Sequence, residues 1–350
     1  MQLLPPFIFI LILSAFSFRI SSAVVCRNGQ DAASKVAYTL TVNKYSKPGP
    51  AIFNTIEAAI NTIPPNNDQW VRVFISPGIY NEKVSLLQYR HCIFLEGKGH
   101  HLTIITYNDH EETDQSATFT SYVENLIVKG ITFKNSFNRQ GYLDFYNKRT
   151  KGEVKIKQAV AARIYGDKSA FYGCGFIGFQ DTLWDATGRH YYKNCYIEGG
   201  VDFIWGTGQS IYEDCLINAT AGTLLSPDSV SYVTAQGRNS SGETSGFVFR
   251  RGIVFGTGRI LLGRAYGLYS RVIFHNTILE RAVAPEGWDA WNSKWHEDKL
   301  TYAEVDCKGP GSDTSKRVKW MKKLRPSELY QFSTPRFINQ DGWLDSQPLS

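Results

Sequence analysis

Three ten-residue segments, SAFYGCGFIG from Ser169, HYYKNCYIEG from His190 and SIYEDCLINA from Ser210, align with one another without a gap. Each carries an aromatic ahead of a cysteine (Phe171, Tyr192, Tyr212) and an apolar residue two places after it (Phe176, Ile197, Ile217). The cysteines Cys174, Cys195 and Cys215 therefore recur at intervals of 21 and 20 residues. Self-similarity at that period points to a solenoid, in which each repeat is one coil that buries its apolar face only by stacking on its neighbours. The coils are made of strands. Runs such as NLIVKGITF (125–133), SGFVFRRGIVF (245–255) and SRVIFHNTIL (270–279) are rich in Val, Ile, Phe and Thr, bounded by Gly and Asn, and too short for helices. The reading is an all-β chain folded as a parallel β-helix.

Residues one coil apart in such a helix lie about 4.8 Å apart along its axis. Two amides and two carboxylates fall at coil spacing: Gln158, Gln180, Asp181 and Asp202, separated by 22, 1 and 21 residues. They should stack on one face. Turn and ladder residues of a solenoid are also polar, so the spacing alone leaves a structural role open. Two carboxylates and two amides at coil spacing nevertheless shift the balance toward a site. Amide N–H groups can stabilise negative charge growing on a carbonyl oxygen, one carboxylate can be a nucleophile, and a second carboxyl can give and reclaim a proton.

At these residues the sequence resembles the plant pectinesterase (pectin methylesterase) family. The matching pieces are GIYNEKV at Gly78, ITFKNS at Ile131, QAVA at Gln158, GFQDTLW at Gly178, VDFIWG at Val201, VTAQGR at Val233, LGRAYG at Leu262, YSRVIF at Tyr269, GW at Gly287 and GPGSDTSKRVKW at Gly309. Together they keep the family's order over residues 45 to 345 or so. The resemblance implies a right-handed parallel β-helix and hydrolysis of methyl esters on pectin, with no metal or cofactor. It implies Asp202 as nucleophile, Asp181 as acid and base, Gln180 and Gln158 as donors to the oxyanion, and Arg264 beside the nucleophile. It further places Thr113, Gln158, Arg264, Tyr266, Phe203 and Trp288 against substrate. The family motif usually ends GRPW; here it reads Gly263-Arg264-Ala265-Tyr266, so a phenol replaces the stacking indole. Trp205 stands where the family commonly has Phe.

Residues 3–18 form an uncharged apolar run followed by Arg19 and Ser21-Ser22-Ala23, a secretory leader expected to end at Ala23. That leaves 24–350 as one β-helix domain, a form without the helical inhibitor-like pro-domain of many plant relatives, secreted to the wall and monomeric. The formal charge of +6 falls to +5 once Arg19 is removed. A basic secreted chain suits an acidic polymer such as pectin; a proteinaceous inhibitor is the other expected partner. No Lys/Arg run speaks for nucleic acid, and no later stretch is apolar enough to span a membrane.

Stacking on adjacent coils would bring either Cys195 and Cys215 or Cys174 and Cys195 within disulfide range. The resemblance selects Cys195–Cys215, with Cys26, Cys92 and Cys307 unassigned. Asn218-Ala-Thr220 and Asn239-Ser-Ser241 are glycosylation sequons. Apolar residues at 52, 53, 56, 59, 60 and 63 predict a helix over 51–63 that caps the open end of the solenoid, stopped by Pro64-Pro65. Loops and a helical piece are expected after residue 285, and a polar loop over 136–157 beside the cleft. Paired carboxylates also suit glycosidases, but the Asn-Thr-Asp, Gly-Asp-Asp, Gly-His-Gly and Arg-Ile-Lys sequences of polygalacturonases are absent. The acidic cluster a calcium-dependent lyase would need is not evident.

Overall fold

The computed structural model describes residues 24–27, 35–139 and 156–349. The leader 1–23 and most of the polar loop expected over 136–157 lie outside them.

The chain winds as a right-handed parallel β-helix of three long sheets, one of eleven strands and two of eight. The central coil shows the repeat. Ser169–Tyr172 lies in the first sheet, Gly175–Ile177 in the second and Leu183–Asp185 in the third, before Arg189–Lys193 returns to the first. Ser169 pairs with His190, Gly175 with Tyr196 and Leu183 with Ile204, so one turn of 21 residues is one coil.

Each long apolar run in the sequence is in fact two strands around a corner. Leu126–Lys129 and Thr132–Asn135 are separated at Gly130, where φ is +64°. Gly246–Arg250 and Ile253–Gly256 turn at Arg251, and Arg271–His275 and Ile278–Leu279 at Asn276, with φ of +56° and +52°. The same corner explains the cysteine repeat. Gly173, Asn194, Asp214 and Asp306 are left-handed there, and Cys174, Cys195, Cys215 and Cys307 follow them. Asn, Asp and Gly are the residues that tolerate this conformation. Phe171, Tyr192, Tyr212, Phe249 and Phe274 form a continuous ring stack inside, with centroids 4.9, 4.6, 4.6 and 4.4 Å apart.

The disulfide expected between Cys195 and Cys215 is not formed. Both are free and buried. Their Sγ atoms instead donate 3.5 Å bonds to carbonyls, Cys195 to Phe171 and Lys193, Cys215 to Tyr192 and Glu213. Side chains stacked in a parallel ladder point the same way at about 4.8 Å, beyond the usual Cβ separation of roughly 3.5–4.5 Å in a disulfide. The bond lies between Cys26 and Cys92, tying the N-terminal segment to the coils across 66 residues.

The capping helix is shorter than its apolar spacing suggests, running over Ile56–Asn61. The Thr55 hydroxyl accepts from Ala58 N, and the Glu82 carboxylate accepts from Ile56 N, so the helix begins at 56. Ile52–Phe53 adds a strand to the end of the large sheet instead. At the other terminus, short helices Pro326–Tyr330 and Thr334–Phe337 carry the chain so that Phe332, Phe337, Ile338 and Trp343 pack on Ala170, Tyr191, Ile211, Val248 and Ile273. Inside the coils, fully buried His190 places Nδ1 2.5 Å from Asp185 and Nε2 3.0 Å from the Gly166 carbonyl, while Tyr212 donates to Asp185 at 2.5 Å. The carbonyl can only accept, so Nε2 carries a hydrogen.

Candidate active site

A cleft of about 610 Å³ runs over the outer face of the third sheet. A ladder in register runs beneath it, Arg163, Trp184, Trp205, Ala235, Arg264 and Asp289 pairing in turn across adjacent strands, and its middle members Trp184, Trp205, Ala235 and Arg264 line the cleft. Gln158, Gln180, Asp181, Asp202 and Thr113 all line it. Bridges join Gln158 to Gln180 and Gln180 to Val201. Asp181 and Asp202 each stand two residues before the paired Leu183 and Ile204, one coil apart. Both occupy left-handed corners, with φ of +62° and +49°, and both are buried. Aspartate is among the few side chains that take this backbone without large strain.

Arg264 distinguishes the two carboxyls. Its strand lies two beyond that of Asp202 in the sheet, about 10 Å along the axis. The intervening position is Ala235, small enough for the long side chain to reach back over it. The guanidinium donates through Nε and Nη2 to the two oxygens of Asp202, at 2.7 and 2.5 Å. Rings hold it in place: it lies 4.3 Å from the Tyr232 centroid and 3.9 Å from that of Trp291. Burial holds the Asp202 carboxyl above the ordinary carboxylate value, and the hydrogen bonds and charge of Arg264 offset part of that rise. Asp181 has no such cation bonded to it among the described residues. Burial first, and the Asp202 charge second, push it up to about 7, against smaller opposing pulls from a hydrogen bond with Gln158 and from the charge of Arg264, which makes no bond to it. Asp202 is thus the carboxyl that ionises first, and Asp181 the one that keeps a proton.

Thr113 sets the orientation of Gln158. Its hydroxyl donates to Gln158 Oε1 at 2.7 Å, which leaves the amide nitrogen to serve Asp181. Thr113, which the resemblance sets against substrate, lines the cleft.

Two aromatics expected against substrate are in the core. Phe203 is fully buried, carried inward by the turn at Asp202. Trp288 is 2% exposed and donates to Glu304 at 3.0 Å, because Asp289 faces outward beside Arg264 and strand alternation turns its neighbour in. The rings that do line the cleft are Trp184, Trp205, Tyr266 and Trp291. Trp184 and Trp205 stack at 4.2 Å, and Tyr266 lies 5.9 Å from Trp291. The sequence held a signal for the first pair, since both tryptophans follow a site aspartate by three residues. Tyr232 carried no such mark.

The pectinesterase family model matches residues 42–341. The chain belongs to the pectinesterase family. It is 46% identical to probable pectinesterase 29 of Arabidopsis thaliana over 297 residues, 85% of this chain and 87% of that protein. Probable pectinesterase 55 of the same plant is 45% identical over 85% of this chain and 88% of its own length. Among solved structures, the pectin methylesterase from carrot superposes with a TM-score of 0.77 at 28% identity, covering 92% of this chain and 99% of that one.

Proposed function

We propose that this chain hydrolyses the methyl esters of pectin, releasing methanol and leaving free carboxylates, through Asp202 as nucleophile and Asp181 as acid and base. The observation that carries the assignment of roles is the bidentate bond of Arg264 to Asp202, with no cation among the described residues bonded to Asp181. An ionised Asp202 attacks the ester carbonyl carbon, and negative charge passes to the carbonyl oxygen. The amides of Gln180 and Gln158 face the cleft where that charge would sit. As the tetrahedral centre collapses, the bond to methoxide breaks and Asp181 gives up its proton, forming methanol. Asp181, now a carboxylate, takes a proton from water. The hydroxide attacks the acyl carbon and expels Asp202, restoring both carboxyls.

Trp184, Trp205, Tyr266 and Trp291 would hold the sugar rings on either side of the reacting unit. Action on wall pectin goes with secretion, and a proteinaceous inhibitor and a monomeric state complete the proposal. Among the described residues no helix is long and apolar enough to cross a membrane. The test is methanol release from highly esterified pectin by the purified protein, with chain length followed by viscosity. Methanol without chain shortening is expected; shortening without methanol would assign the cleft to a depolymerase.

A further inference from the structure

Trp295 occupies a place that neither packing nor backbone geometry explains. The turn Ser293 to His296 is closed by a 2.9 Å bond from His296 N to Ser293 O. Lys294 has φ −53° and ψ 134°, and Trp295 has φ +72°. These are the angles of a type II turn, whose third position is normally glycine or asparagine. A bulky indole there is strained, and strain of this kind persists at sites with a function. The ring is also 87% exposed, so it contributes little to the core.

The loop begins in the cleft. Trp291 stacks on Arg264 and lines the site, and Trp295 follows four residues later. Buried Ser293 donates to Gly267 O at 3.3 Å, and Lys299 Nζ lies 5.5 Å from the Tyr269 ring, so the loop is fastened to the segment that follows Tyr266. At most about 3.6 Å per residue, four residues keep the Trp295 backbone within roughly 14 Å of Trp291. Lys294 and Lys299 are matched by Glu297 and Asp298 on the same loop, with His296 between them. The loop therefore offers an aromatic face without a net field.

We propose that Trp295 is an outer stacking subsite for the apolar face of a sugar ring in the same galacturonan chain whose reacting unit lies at Asp181 and Asp202. The inference rests on the reading given under Proposed function. Because the loop's charges balance, the subsite takes esterified and free rings alike. It extends recognition along the polymer and leaves the chemistry untouched.

Trp295→Gly tests it, since glycine suits the turn and the variant should melt at or above the wild-type temperature. KM on polymeric, highly esterified pectin should rise about three- to tenfold. kcat should hold, as should KM on the methyl ester of galacturonate itself, a single ring that cannot occupy cleft and loop at once. Retardation of the folded protein in native gels containing pectin should weaken in parallel. Unchanged polymer KM and unchanged retardation would overturn the subsite. An equal rise in KM on the single methyl-esterified ring would also overturn it, by showing that the residue acts through the cleft. Failure of the wild-type protein to release methanol would remove the functional reading, while the gel comparison would still decide whether Trp295 holds the polymer.

Discussion

Replacing Asp181 by asparagine should make the protein inactive and, at alkaline pH, more stable. Asparagine tolerates the left-handed backbone at this position, φ +62°, and its carbonyl oxygen can still accept from Gln158, so the change removes charge with little else. Burial and the neighbouring Asp202 lift the Asp181 carboxyl from 3.8 to about 7. At 1.36 kcal/mol per pH unit, ionising it in the folded state costs up to about 4 kcal/mol relative to the unfolded chain. Water in the open cleft screens part of this, so a gain of about 1–3 kcal/mol is expected. The sign follows from linkage. Between pH 4 and 7 the folded state holds more protons at this site than the unfolded state, so its stability falls as pH rises, and the loss is complete above 7. The asparagine side chain does not titrate. Melting temperatures of Asp181→Asn and wild type should coincide near pH 4, diverge through pH 7 and stay apart by a few degrees at pH 8 to 9. A difference independent of pH, or a variant less stable at pH 8, would refute the claim that burial and the second carboxyl hold Asp181 protonated.

Removing the cation should act on the other carboxyl. Arg264→Gln takes away the charge that lowers the Asp202 pKa, so the acid limb of kcat/KM should move to higher pH; a stationary limb would separate Arg264 from the nucleophile. Of six cysteines, two are bonded and four are free among the described residues, so unfolded, unreduced protein should titrate four thiols; two would mean that Cys195 and Cys215 are joined after all. Loss of the 66-residue loop in Cys92→Ser should cost about 4 kcal/mol in denaturant melts. Peptide mapping after secretory expression should find glycan on exposed Asn239 and none on Asn218, whose amide nitrogen donates to Tyr196 at 2.8 Å and Glu198 at 3.3 Å within a strand.

What the sequence made legible follows from what repeats. The 21-residue period carried the solenoid, and with it the stacking of Asp181 on Asp202, because in a parallel ladder sequence spacing is spatial spacing. It could not show where strands turn. An apolar run such as 270–279 reads as one strand, since the corner at Asn276 interrupts composition hardly at all. The disulfide failed for a related reason. Coil spacing brings Cα atoms within range, but whether side chains converge depends on rotamers that a parallel stack holds alike. Phe203 and Trp288 were misplaced because aromatic content does not say which face of a strand is outward. Their neighbours Asp202 and Asp289 did, once the ladder was known. Tyr232 and Trp291 clamp Arg264 from a strand and a loop with no periodic relation to it, and only the folded chain brings them together.

The most direct test of the account is the turnover of Asp202→Asn on highly esterified pectin. The substitution keeps the side chain's shape and suits the left-handed corner at φ +49°, so the fold should survive, as circular dichroism would show. It removes the carboxylate that Arg264 orients, and methanol release should fall at least about a thousandfold. A folded variant that releases methanol within tenfold of the wild-type rate would contradict the assignment of Asp202 as the nucleophile.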